Sequence, residues 1–192
     1  AWNNRGMIEL QQENYSDAVA DFSNVLELKP KDSIQILEAR ANAYIRLEQY
    51  KNAEMDLRVI ERAQPENLRV KTNLIQTEKA IDREKTIIER ANRKIQTNPN
   101  NLEAYEEKAE AQIKIGLPGE ALRTIELQKE RMHNPSINNV ILELEAKAAQ
   151  GDTSALNQSL NRAIENGFSR DEIMNKMRFK LPKNRVRLER NN

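Results

Sequence analysis

Cysteine is absent from this sequence, and histidine occurs once, as His133. The first absence removes disulfides, thiolate metal sites and cysteine nucleophiles. A lone histidine makes a zinc site only if several carboxylates converge on it. His133, in the stretch RMHNP, reads instead as a helix C-terminal residue meeting free carbonyls. Glycine numbers five, and none of these builds a phosphate loop or a dinucleotide fingerprint. The G-x-S-x-G elbow and the aspartate-rich calcium loop are missing as well. No apolar run approaches the roughly 18–20 residues that span a bilayer. No secretory leader pattern opens the chain, whose first residues are Ala1 and Trp2, so the sequence reads as an excerpt of something longer. The compartment of this soluble chain is left open, cytoplasmic or exported. Aromatic residues make up 4%, so any core must be mostly aliphatic. The expectation is a chain without catalytic residues, metal or cofactor, and not an enzyme.

Charge is plentiful but balanced. Charged residues are 32% and the formal net charge is +1, which points to no partner in bulk. The distribution is uneven. Residues 169–192 hold eight Lys/Arg against three Asp/Glu, leaving the remainder net acidic. Carboxylate and ion pairs at helical spacing, such as Glu106–Glu110 and Glu143–Lys147, read as surface pairs worth about a few tenths of a kcal/mol.

What is abundant is a repeat. Prolines stand at 30, 65, 99 and 135, each about 34–36 residues apart, a period of the kind found in helical arrays. Aligned on them, Tyr15, Ala18 and Phe22 are matched by Tyr50, Ala53 and Leu57, and again by Pro118, Ala121 and Ile125. A small residue followed four positions later by a large apolar one puts both on one helix face. The upstream halves carry complementary stripes: Trp2, Gly6, Leu10; Leu37, Ala41, Tyr44, Ile45; Tyr105, Ala109, Ile113. Each segment therefore reads as helix, short turn, helix, with Ser16, Asp32 and Ser33 as capping candidates and Pro as the stop. Gly151-Asp152 breaks a weaker pair over 136–166, and Gly167 ends its second helix. Ser169 and Glu172 make an S-x-x-E capping box for a short helix near 170–179. Over 66–99 Ile75 and Ile87 stand where small residues are expected, and no Gly or Pro marks an inner turn. That stretch is either a helix pair or one long helix.

These residues resemble the tetratricopeptide repeat family, whose pattern is W-x2-L-G-x2-Y, then A-x3-F, then P. Segment one supplies Trp2, Gly6, Ala18, Phe22 and Pro30; segment two, Tyr44, Ala53 and Pro65; segment four, Tyr105, Gly116 and Ala121. Arg5, Arg40 and Lys108 replace the pattern's Leu and are expected to lay their stems on apolar surface with the charge in water. The resemblance implies an all-α, right-handed superhelical stack of antiparallel helix pairs. Four to five repeats cover 1–168, at about 1–31, 32–66, 67–100, 101–135 and 136–168. A short C-terminal capping helix and a basic tail fill 169–192.

By the same resemblance, the first helices of the pairs line a concave groove that holds a peptide or helix of another protein. The groove positions are Asn3, Met7, Glu38, Asn42, Arg46, Asn73, Glu103, Glu106, Glu107 and Glu110. One peptide-binding mode of the family grips a terminal carboxylate with cations and amides. Here Asn42 and Asn73 keep the amide places, while Glu38, Glu103 and Glu107 replace the cations. The groove thus reads as acidic and favours a basic segment of a partner, with charge complementarity setting orientation and encounter rate. The plainer reading is that these glutamates solubilise exposed helix faces. The alternative surface is the tail, where Lys180, Lys183, Arg185, Arg187 and Arg190 suit nucleic acid or an anionic surface. Its few aromatics make a base-stacking platform, and so a nucleic-acid partner, the lesser expectation. Self-association through the array ends, and docking of the tail into the groove, are further expectations.

Overall fold

The computed structural model describes residues 2–28, 33–132 and 136–178. The expectations for Lys180, Lys183, Arg185, Arg187, Arg190, His133 and Asp32 lie outside the described residues. Among the described residues ten helices follow one another: α1 (Trp2–Gln11), α2 (Tyr15–Glu27), α3 (Ile34–Arg46), α4 (Tyr50–Ala63), α5 (Leu68–Thr97), α6 (Leu102–Lys114), α7 (Pro118–Met132), α8 (Ile137–Gln150), α9 (Thr153–Glu165) and α10 (Arg170–Lys176). Among the described residues there is no strand, and the all-α helical-repeat class read from the sequence holds. No helix among them is long and apolar enough to cross a membrane.

The chain divides into two compact units, Ala1–Glu89 with Lys114–Gly116, and Arg90–Ile113 with Leu117–Asn192, with a boundary inside α5. In the first, α1 packs on α2, α2 on α3, and α3 on α4. Small-against-large complementarity sets the spacing. A Cβ at Gly6 would lie 2.8 Å from a ring carbon of Phe22, so only glycine lets α1 approach this closely. Ala41 does the same service in a cluster with Leu37, Leu57, Ile60, Val70 and Leu74. Each large aliphatic buried this way contributes about 1.5–3 kcal/mol. Trp2 departs from the expected stripe and stays 42% exposed. It sits in the first turn of α1.

The inner turns show why a fixed residue place recurs. Glu13, Glu48 and Gly116 stand at matching positions and all have positive φ, 61°, 57° and 76°. Each turn needs one left-handed residue, which glycine adopts freely and glutamate only with strain. Ser16 is not a cap: α2 already begins at Tyr15, and the N-cap position belongs to Asn14.

Residues 68–97 form one helix, the second of the two sequence readings. Val70, Leu74, Thr77, Ile81, Glu84 and Ala91 are buried, spaced alternately by three and four residues apart from the step through half-buried Ile88. One unbroken stripe at this spacing is what a continuous helix buries. A hairpin would need a phase break and a turn residue, and the segment has neither.

In the second unit, α8 packs against α7 and α9, and α10 closes on α8. Ile141, Leu144, Leu156 and Leu160 form its core with Ile173 and Met177 from the C-terminal segment. The ends of these helices are well marked. Ser136 accepts from the Asn139 amide, Asp152 from Ala155 and Ser169 from Glu172, while Gly151 ends α8 in the left-handed conformation.

Candidate functional site

In the first unit Asn3, Met7, Glu38, Asn42 and Arg46 lie on the first helices of two pairs, α1 and α3, and Asn73 lies on the single long helix α5. Asn3 and Met7 are one turn apart on α1 and both exposed, Met7 by 45%. Glu38, Asn42 and Arg46 follow at four-residue steps on α3, and the residues between them, Ala39, Ala41 and Ala43, face inward. The Glu38 carboxylate is bound by Arg69 of α5, so the Glu38 stripe and the Arg69 stripe lie side by side. Asn42 is one turn beyond Glu38 and half-buried Asn73 one turn beyond Arg69. The two amides therefore lie on the two helices that the Glu38–Arg69 pair joins. Arg46 is engaged already: its guanidinium lies 5.2 Å from the Tyr15 ring centre and 3.9 Å from Glu13.

Beneath this face the structure corrects one expectation. Arg5 and Arg40 do not simply lie along apolar surface with their charge in water. Arg40 donates to both carboxylate oxygens of Asp56, at 2.8 and 2.7 Å, and to Ser23 at 3.0 Å. Arg5 binds Asp21 in the same forked way. Asp21 and Asp56 are both buried, so each needs its cation. Burial opposes the Arg40 charge, and the Asp56 hydrogen bonds and charge more than offset it, raising the Arg40 pKa above its ordinary value. The signal was present in the sequence. Arg5 and Arg40, like Asp21 and Asp56, are 35 residues apart.

In the second unit the expected acids are largely occupied. Glu107 takes Lys94 through both oxygens at 3.0 Å, with Arg90 at 3.7 Å. Glu106 accepts from Ser136 at 2.6 Å and Asn138 at 3.1 Å. Glu110 meets Arg178 at 2.7 Å. Glu103 is exposed on the first turn of α6. The expected bare acidic surface is thus a surface of carboxylates mostly held by this chain's own donors. Sequence reasoning missed Arg178, Asn138 and the fully buried Glu145, which accepts three hydrogen bonds from Arg178 within 3.2 Å. The only hint was the Ile173–Met177 apolar spacing, which anchors α10 and brings the next residue with it.

Glu143 also differs from its reading as an ordinary surface partner of Lys147. It is mostly buried and receives Lys129 at 2.5 Å, Lys147 at 2.6 Å and Ser159 at 2.7 Å. Burial pushes its pKa up, but the hydrogen bonds from Lys129, Lys147 and Ser159 win and lower it to about 2. Among the described residues no group of three His, Asp or Glu side chains is placed to hold a metal.

Residues 1–32 match the family model of the tetratricopeptide repeat. The resemblance drawn from Trp2, Gly6, Ala18 and Phe22 is thereby borne out, and the chain carries a repeat of that family. Sperm-associated antigen 1 of Rattus norvegicus is 33% identical over 81 residues, 42% of this chain and 9% of that protein, so the chain spans a small part of that relative's length. Similar solved structures include a tetratricopeptide repeat protein from Parabacteroides merdae, 22% identical, covering 94% of this chain and 69% of that one at a TM-score of 0.42. The P58(IPK) TPR domain is 14% identical, covering 100% and 56% at 0.45. YrrB, described as a TPR protein with an unusual peptide-binding site, is 18% identical, covering 91% and 89% at 0.43.

Proposed function

We propose that this chain is a non-enzymatic interaction scaffold that holds an extended segment of a partner protein on the first-helix face of its N-terminal unit. What supports this reading is that Asn42 and Asn73 lie on α3 and α5, which the Glu38–Arg69 ion pair joins, and that Asn42, Asn3 and Met7 are exposed. A carboxamide offers both a donor and an acceptor, so a ladder of them can grip a peptide backbone whatever its side chains. Met7 adds an adaptable apolar contact beside the amides. The Arg40–Asp56 and Arg5–Asp21 pairs, whose aspartates are buried, brace the helices from below, which lowers the ordering cost of binding. The expected preference for a basic segment does not attach to this face, because Glu38 is already matched by Arg69.

The test is a selection from a random 16-residue peptide library on the full chain, repeated with an Asn42→Arg, Asn73→Arg variant. The reading expects a consensus that the wild type enriches and the variant loses by tenfold or more in affinity. A consensus that both proteins bind equally, or no consensus at all, contradicts it.

A further inference from the structure

Within the second unit, the link between α9 and α10 is four residues long: Asn166, Gly167, Phe168 and Ser169. Asn166 closes α9 with its backbone N–H on the Arg162 carbonyl. Gly167 follows at φ 92° and donates to the Ile164 carbonyl at 2.9 Å, and Phe168 donates to that of Ala163 at 3.1 Å. This crossed pair of bonds ends a helix on a left-handed residue, a place that selects glycine. Ala163 and Phe168 pack with Ile141, Leu156, Leu160, Ile173 and Met177 in one core. The cap therefore sets where α10 begins, with Ser169 as its N-cap and Ile173 as its fully buried anchor.

The same requirement puts glycine directly after an asparagine. Asn166 is the one asparagine in the sequence that glycine follows. Both residues are exposed, and a Cβ added at Gly167 would meet no atom within 4 Å. With no side chain on residue 167 and open space around it, the Gly167 nitrogen reaches the Asn166 Cγ once the cap opens. Every other asparagine that has a successor is followed by a residue whose side chain crowds that approach.

We propose that Asn166 is a site of spontaneous deamidation, and that the product undoes the cap which docks α10. Base removes the proton of the Gly167 amide nitrogen. That nitrogen forms a bond to Cγ of Asn166, the Cγ–Nδ2 bond breaks, and Nδ2 takes up a proton and leaves as ammonia. Water then opens the cyclic imide. Cleavage at the main-chain carbonyl leaves isoaspartate, whose peptide bond runs through Cβ and Cγ. Cleavage at Cγ leaves aspartate. In the closed cap the Gly167 N–H is held by Ile164, so the reaction passes through the opened cap, the kind of local fraying that helix ends undergo. Isoaspartate lengthens the main chain just before the Gly167 and Phe168 N–H groups. Neither can return to its carbonyl without displacing Ser169 and α10. Aspartate keeps the main chain but puts a negative charge at the C-terminal end of α9, where the helix dipole disfavours it.

The experiment incubates the full chain at mildly alkaline pH and maps it by mass spectrometry, with fragmentation that separates isoaspartate from aspartate. A synthetic peptide of residues 163–170 is followed in parallel. Asn166 should convert faster than any other asparagine of the chain, and about tenfold or more slower than in the peptide, because the cap must open first. Hydrogen exchange of the converted chain should then speed up about tenfold or more in α10, with α7 unchanged. Asn166→Gln, which could close only a larger and slower-forming ring, should keep its mass and its α10 protection through the same incubation. Conversion at Asn166 no faster than at exposed Asn161 or Asn175 overturns the proposal. A rate equal to the peptide's overturns it too. So does a converted chain whose α10 exchanges as the unconverted chain does, or a loss of α10 protection in incubated Asn166→Gln.

Discussion

At the residue scale, the molecule depends on where charge is buried. Asp21 and Asp56 hold equivalent places, but their arginines do not share the same solvent access. Arg5 is 47% exposed and Arg40 only 19%. Removing Asp56 leaves Arg40 unpaired beneath the surface. Asp56→Ala should therefore cost about 3 kcal/mol or more, the range for breaking a buried pair. Asp21→Ala lets Arg5 turn into water and should cost about 1 kcal/mol. Urea unfolding of the two variants checks the order, and equal losses would refute it. Glu143 makes a second case. Its pKa falls from 4.5 in the unfolded chain to about 2 in the folded one. Between those values the unfolded state binds more protons, so stability rises with pH. The contribution is complete above about pH 4.5 and disappears as pH falls through about 2. After allowance for solvent screening it is on the order of 1–2 kcal/mol. Acid titration of stability should show this slope, and Glu143→Gln should flatten it. An unchanged slope in the variant would contradict the assignment.

At the element scale, the legible features were those written at helical spacing. Ala18 and Phe22, Ala53 and Leu57, and Ala121 with Ile125 named their helices and their buried faces, since all six are buried. The paired turn glutamates were not legible, because a left-handed residue is announced by glycine and these positions hold Glu13 and Glu48. Arg5 and Arg40 misled for a related reason. A cation at an apolar place suggests snorkelling until a carboxylate on the next helix is known, and that carboxylate is sixteen residues away. The choice between a helix pair and one helix at 68–97 needed the three-four stripe to be followed across its middle, where Ile81 and Glu84 continue it without a break. The turn strain yields a prediction. Relieving a left-handed non-glycine residue gains about 1 kcal/mol, offset in part by the entropy glycine adds to the unfolded chain. Glu13→Gly should therefore raise stability by roughly 0.5 kcal/mol and Tm by a few degrees. Glu48 is less suited to the test because it also holds Lys114 at 3.0 Å. A fall in Tm for Glu13→Gly would refute the strain argument.

At the scale of the whole molecule, each unit buries its helices' apolar stripes against their neighbours. Stacked arrays of this kind are stabilised repeat by repeat through neighbouring interfaces. The candidate positions Asn42, Asn73 and Met7 rest on the family resemblance, and the occupants of the glutamates come from distant segments. Glu110 and Arg178 are 68 residues apart, and no local pattern links them. The scaffold reading requires that α1, α3 and α5, not α2 and α4, carry the docking face. Hydrogen–deuterium exchange of the full chain, with and without a peptide taken from the library selection, tests it most directly. The account expects added protection in α1, in α3 around Asn42 and in α5 around Asn73, with α2 and α4 unchanged. Protection confined to α2 and α4 would contradict it.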